Sequence, residues 1–175
     1  MKNLKKILAL LLCFVLVLSL TACGTGTVST VSSTGTLVVT EGKVDPSAAD
    51  YANDIDGLVS YMKDCEVITG EATDMSADFI GAVKGKQFCF TYGDATITVE
   101  FYEYDLDNIN TNEKAKSCLE SVKTAGKLDI LGKTIEARAN AAGKFVMIYT
   151  CSAEGDVYTA FTERVNNLFT AFEGK

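Results

Sequence analysis

Cysteine is the residue type in this chain with the widest chemistry, because its thiol can be acylated, oxidised, bound to a metal or used as a nucleophile. The sequence has six cysteines and no histidine. Without histidine the chain cannot assemble a Ser-His-Asp or Cys-His catalytic set, nor a zinc site built on histidine. We therefore expect no catalytic motif, no metal site and no cofactor around the cysteines, which are Cys13, Cys23, Cys65, Cys89, Cys118 and Cys151.

The spacing of the last four cysteines contains no C-x-x-C motif, which argues against a metal or redox motif. Cys65 and Cys118 fall on the apolar stripes of predicted helices, where free thiols pack as small apolar groups. Cys89 and Cys151 fall on predicted strands, on the faces opposite the core residues. A disulfide between these two requires that their hairpins lie side by side.

An acidic and aromatic run begins at residue 100 and offers a second kind of chemistry. Glu100, Tyr102 and Tyr104 alternate with apolar residues, so they share one face of a predicted strand. Tyrosine combines a large apolar ring with a polar tip, and this predicts an interaction strip on an exposed face. The alternative is a strand face that is solvated or covered by another helix.

Residues 105–114 are rich in oxygen donors, but they do not form an EF-hand loop. In that motif position 6 is glycine and position 12 is acidic, whereas here these positions hold Asn110 and Lys116. Helix capping by Asn110 explains the run more simply. Paired carboxylates for hydrolysis remain open, because a chain with 23 acidic residues always brings some of them close.

The first 23 residues contain a targeting signal. Three lysines precede an apolar run, residues 7–20, which is too short to span a bilayer and is typical of a cleaved secretory signal peptide. The tetrapeptide at residues 20–23, Leu-Thr-Ala-Cys, resembles the lipobox of bacterial lipoproteins. That resemblance implies cleavage between Ala22 and Cys23 and acylation of the Cys23 thiol. The protein would then be held at the extracytoplasmic face of the membrane by lipid, since two acyl chains anchor stably.

Composition divides the remaining chain into a linker and a domain. Residues 1–22 carry three of the 16 basic residues and none of the 23 acidic ones, so the rest of the chain has 13 basic and 23 acidic residues and a formal charge of −10. Such a charge argues against nucleic acid as a partner. Residues 23–45 begin with a run rich in glycine, serine and threonine, which predicts a flexible linker. Residues 46–175 suffice for a single domain.

Hydrophobic periodicity predicts an α+β domain with the order α-ββ-α-(β)ββ-α. Asp45 and Pro46 predict a helix start, and a Gly93-Asp94 turn predicts a hairpin over residues 86–104 whose paired residue numbers sum to 187. A second helix is predicted over residues 111–125, and residues 144–151 are apolar on both faces, as in a central strand. An apolar stripe over residues 157–172 predicts the last helix. The expected fold is an antiparallel sheet of two hairpins, with four to five strands and about three packed helices.

Residues 80–172 resemble a group of small lipoproteins from Clostridia-type Gram-positive bacteria. The matching stretches are residues 80–82, 99–105, 123–127 and 143–149. That group has no assigned activity, so the resemblance implies the localisation and a compact α+β module, and no catalytic residue. We expect a non-enzymatic, membrane-tethered binding module for an envelope protein or ligand. The alternatives are an envelope enzyme using Asp/Glu chemistry and an accessory subunit of an envelope complex.

Overall fold

The structure is a computed structural model that describes residues 35–130 and 132–175. The predicted signal peptide and Cys23 lie outside these residues. Three α-helices are present in this part of the chain: α1, Ile55–Asp64; α2, Glu113–Ala125; and α3, Asp156–Ala171. The strands are β1, Thr73–Asp74; β2, Lys84–Tyr92; β3, Ala95–Glu103; β4, Lys127–Ile130; β5, Lys133–Glu136; β6, Arg138–Ala139; and β7, Phe145–Cys151. Within residues 35–130 and 132–175, no helix combines the length and the apolar character needed to cross a membrane.

An antiparallel sheet organises the fold. Its five strands have the order β1-β2-β3-β7-β6, and β4 and β5 form a separate two-stranded sheet. The α+β class and the element order predicted from the sequence are confirmed. The predicted register of the first hairpin is also confirmed, because Phe90 pairs with Ile97 and Phe88 with Val99. Register was predictable here because a slip of one residue would turn every apolar side chain to the opposite face.

Each face of the sheet carries its own apolar core. On one face, α1 and α3 pack against residues such as Phe88 and Val99. On the other face, α2 and the β4–β5 hairpin pack against Tyr102, Val146 and Ile148. β7 lies between β3 and β6, as expected for a strand that is apolar on both sides. The result is a sheet enclosed by helices on both faces.

The helix starts differ from those predicted. α1 begins at Ile55, and its N-cap is Asp54, whose carboxylate accepts from the backbone N–H of Gly57 at 2.8 Å. The start predicted at Asp45 and Pro46 is wrong, because the Asp45 carboxylate instead pairs with Arg164 of α3 at 2.7 Å. Between Pro46 and Asp54 the chain forms only a short 3₁₀ turn.

The second helix is capped by a neighbour of the predicted residue. Asn112, not Asn110, is the N-cap of α2, and its Oδ1 accepts from the backbone N–H of Ala115 at 3.1 Å. Asn110 lies in a 3₁₀ turn that precedes the helix. Gly126 ends α2 with φ +66° and donates its N–H to the Val122 carbonyl, as its position in the sequence indicates.

Residues 35–45 cross the domain as an ordered segment, which we call the strap. Beside β2, the Thr91 N–H donates to the Gly35 carbonyl at 2.9 Å and the Leu37 N–H to the Thr91 carbonyl at 2.7 Å. The Leu37 side chain is 7% exposed and belongs to the core under α1 and α3. Residues 35–45 of the predicted linker are thus fixed on the domain by backbone pairing and a buried leucine.

Candidate functional site

The predicted tyrosine strip is buried. Tyr102 and Tyr104 are 1% and 0% exposed, because α2 and the 3₁₀ turn at Asp78–Ile80 cover this face of the sheet. The prediction of an exposed strip is therefore wrong, and its alternative, a strand face covered by another helix, describes the structure. The buried positions of Tyr102 and Tyr104 fit a structural role.

A hydrogen-bonded chain holds the polar end of this face. The Tyr102 hydroxyl donates to Glu100 Oε2 at 2.7 Å, and Gln87 Nε2 donates to Glu100 Oε1 at 2.9 Å. Burial, together with the bond to Glu100, raises the pKa of Tyr102. The Tyr104 hydroxyl donates to the Ile80 carbonyl at 3.3 Å. Each of these polar side chains has a hydrogen-bond partner within the domain, so the face serves to hold β3 and its neighbours together.

The four cysteines that the structure describes have positions that fit a structural role. Cys65, Cys89, Cys118 and Cys151 are all free thiols. Cys89 on β2 and Cys151 on β7 are separated by β3, about 10 Å by strand spacing, and the register places them on opposite faces of the sheet. A disulfide needs α-carbons within about 7 Å, so the Cys89–Cys151 disulfide that the sequence left possible does not form.

Cys65 is the most deeply buried thiol of the four. It has no exposed surface, and burial raises its pKa to about 11. Burial also raises the pKa of Cys118. Because the thiolate is the nucleophile, a raised pKa makes both side chains poor nucleophiles at neutral pH. The prediction that the two helix cysteines are free thiols is confirmed.

An open groove at the edge of the sheet is the strongest candidate for a ligand site. We call it the edge groove; it lies between the end of α2, the β6–β7 edge and the side of α3, and its volume is about 640 Å³. This volume lies within the range of small-molecule sites. Its polar and charged lining residues include Lys123, Glu136, Arg138, Tyr149, Thr162 and Asn166.

Local structure explains how these side chains meet. Phe161, Val165 and Phe169 bury one stripe of α3, and this turns Thr162 and Asn166, one helical turn apart, towards the groove. Thr162 Oγ1 lies 3.3 Å from the Tyr149 hydroxyl of β7 and donates to the Tyr158 carbonyl at 2.7 Å. These contacts fix the positions of the Thr162 hydroxyl and the Tyr149 phenol, which line the groove.

The electrostatics of the edge groove differ from those of the acidic chain as a whole. Lys123 and Arg138 line it, and neither forms an ion pair with a residue that the structure describes. Glu136 is the acidic residue among the described lining residues. Burial raises the pKa of the Tyr149 phenol, which therefore stays protonated and able to donate. The groove thus presents donors and a net positive charge, a set suited to an anionic group.

A second depression lies at the start of α3, and its charged lining residues are acidic instead of mainly basic. Its lining includes Glu154, Asp156 and Glu163, and its volume is about 520 Å³. Among residues 35–130 and 132–175, no group of three or more His, Cys, Asp or Glu side chains is arranged to hold a metal ion. We therefore take the edge groove as the candidate site.

Sequence reasoning did not identify the edge groove. Lys123 and Arg138 belong to different elements, and they line the same groove because α2 and β6 pack together. Two single charged residues that lie far apart in the sequence form no local motif from which a site could be predicted. Only the small residues beside Arg138, Ala137 and Ala139, indicated that another element approaches closely there.

Comparison with known proteins adds no family. No protein-family model, no curated protein sequence and no solved structure matches this chain. The resemblance to the clostridial lipoproteins and the lipobox resemblance therefore stay predictions from the sequence.

Proposed function

We propose that this protein is a lipid-anchored, extracytoplasmic binding module whose ligand occupies the edge groove. The observation that carries the binding role is the groove itself, which presents Lys123 and Arg138, neither of them in an ion pair with a described residue, in a chain of net negative charge. The anchor rests on the sequence, in which a basic start and a short apolar run lead to the lipobox cysteine, Cys23. The partners are the membrane, through this lipid, and a ligand of the cell envelope.

The composition of the edge groove favours binding over hydrolysis by acidic residues. General acid–base hydrolysis uses two carboxyl groups at a short, defined separation. The described lining of the groove supplies one carboxylate, Glu136. Hydrogen bonds hold the pKa values of Glu66, Asp78 and Asp105 below their usual range, and these residues lie outside the groove. A catalytic acid would instead need a raised pKa.

The ordered domain is compatible with a tethered arrangement. The strap begins at Gly35, so twelve peptide bonds separate it from Cys23. The edge groove lies at the β6–β7 edge of the sheet, whereas the strap joins the opposite edge at β2. A ligand site at the far edge from the tether stays accessible when the strap end of the domain faces the membrane.

Replacement of the lipobox cysteine tests the anchor. Cys23→Ser removes the thiol that would be acylated, so the full chain is expected to leave the membrane fraction or to remain unprocessed. The measurement is fractionation of cells with mass spectrometry of the amino terminus. Cys13→Ser is the matched control, because Cys13 lies in the predicted signal peptide and should leave localisation unchanged. A Cys23→Ser protein that is still cut after Ala22 and still membrane-bound would refute the anchor.

A further inference from the structure

The outer edge of β7 is only partly paired. The Ser152 N–H donates to the Thr96 carbonyl of β3, and the N–H of Tyr104, the residue after β3, donates to the Lys144 carbonyl. Because the two sides of a strand alternate along its backbone, residues 145, 147, 149 and 151 direct their backbone groups away from β3. The Asn140 N–H donates to the Phe145 carbonyl on that outer side, which agrees with this alternation.

β6 covers only the first part of this edge. Its two residues pair with Val146 and Met147, and the chain before Arg138 turns away into β5. The outward N–H and C=O groups of Tyr149 and Cys151 therefore have no backbone partner among the described residues. The opposite edge of the sheet differs, since β1 and the strap cover much of β2.

The open part of β7 borders the edge groove. Tyr149 belongs to its lining, with Thr162 and Asn166 of α3 on one side and the end of α2 on the other. Unpaired strand edges accept further strands, and extended peptides bind proteins in this way. The groove therefore offers both a backbone template and walls that contact side chains.

Arg138 sets the direction of a strand added here. β6 runs antiparallel to β7, and Arg138, its first residue, pairs with Met147. A peptide beside Tyr149 and Cys151 that runs in the direction of β6 ends at Arg138. The opposite direction would bring its ammonium group to the guanidinium, which is repulsive. A terminal carboxylate instead gains a charge-assisted hydrogen bond.

From the open β7 edge and from Arg138, which has no ion-pair partner in residues 35–130 and 132–175, we infer that the edge groove binds the carboxyl end of an extended peptide. The peptide adds to β7 as an antiparallel strand and places its terminal carboxylate at Arg138. Lys123 adds positive charge to the groove, and Glu136 opposes it. This inference rests on the proposed binding function and specifies its ligand.

Peptide pools test the carboxylate. The probes are two fluorescein-labelled pools of random heptapeptides, identical except that one has free carboxyl ends and the other has amidated ends. Binding to the full chain in detergent is measured by fluorescence polarisation. The free-carboxyl pool should bind roughly ten- to a hundredfold more tightly, because a hydrogen bond to a charged group contributes that much. Arg138→Gln should remove the difference, and Lys133→Gln, an exposed change on β5, should keep it.

Backbone methylation tests the strand addition. In a peptide that binds, N-methylation of a residue whose N–H faces β7 should abolish binding, and methylation of the next residue should not. Equal effects at both residues would overturn the added strand. Failure of both pools would overturn the peptide ligand, whereas the anchor is judged by Cys23→Ser alone. Equal binding of both pools that is lost in Arg138→Gln would keep the groove as a binding site and refute the carboxylate.

Discussion

Tyr102 shows what a single buried aromatic residue contributes to this protein. Its ring lies under α2, 6.2 Å from that of Phe79, and its hydroxyl donates to Glu100. Tyr102→Ala should lower the free energy of unfolding by about 3–5 kcal/mol through the cavity it leaves. Tyr102→Phe should lower it by about 1 kcal/mol, since only the hydrogen bond is lost. Chemical denaturation of the full chain measures both, and an unchanged midpoint in Tyr102→Ala would contradict the buried role.

At this scale the sequence predicts side-chain direction better than exposure. Alternation correctly places Glu100 and Tyr102 on one face of β3, with Tyr104 just after the strand in the same core, because side chains of a strand alternate by geometry. Whether that face meets water depends on α2, which packs there from a later part of the chain. The role of Arg138 and Lys123 is harder still to predict from the sequence. It depends on their having no ion-pair partner among the described residues, which is a property of the folded chain.

Helix capping separates two asparagines that the sequence leaves nearly equivalent. Asn112 caps α2 and also donates from Nδ2 to the Gly81 carbonyl at 3.3 Å, whereas Asn110 is exposed. Asn112→Ala should lower the free energy of unfolding by about 1 kcal/mol. Asn110→Ala is the matched control and should change it by less than about 0.5 kcal/mol. Thermal or chemical unfolding checks both, and the reverse ranking would restore the cap predicted from the sequence.

Elements that rely on local signals were predictable, and those that rely on distant partners were not. The β2–β3 hairpin follows from alternation and a glycine turn, with Gly93 at φ +56°. The start of α1 was missed because Asp45 has the sequence of a cap but serves Arg164 of α3. The register between β3 and β7 joins two predicted hairpins, and no residue pattern fixed it.

At the scale of the whole molecule, the carboxylate of Glu66 helps to hold the strap on the domain. Glu66 accepts from the Thr40 N–H at 2.6 Å and from Lys43 Nζ at 2.8 Å, and these bonds, first that of Lys43, hold its pKa below the ordinary value of 4.5. A lowered pKa in the folded state means that this contribution is present above pH 4.5 and is lost as the pH falls further.

Hydrogen exchange checks this pH dependence. The protection factor of the Thr40 amide, corrected for the intrinsic exchange rate, should fall between pH 7 and pH 3. Glu66→Gln should have the lower protection at pH 7, and its protection should change little between pH 7 and pH 3, because glutamine carries no charge at either pH. Protection that is the same at both pH values in the unmodified chain would show that Glu66 does not hold the strap.

With the anchor proposed at Cys23 and the flexible linker predicted from the sequence, the strap would also change how far the domain travels. A linker that continued to Asp45 would have 22 peptide bonds, whereas the strap leaves 12 before Gly35. For a flexible chain, the root-mean-square span falls from about 26 Å to about 19 Å. The effective concentration of the domain near its anchor point rises about 2.5-fold, since it scales with the −3/2 power of length. With the proposed anchor, partners within this short radius would be met repeatedly, and those standing farther from the membrane would be out of reach.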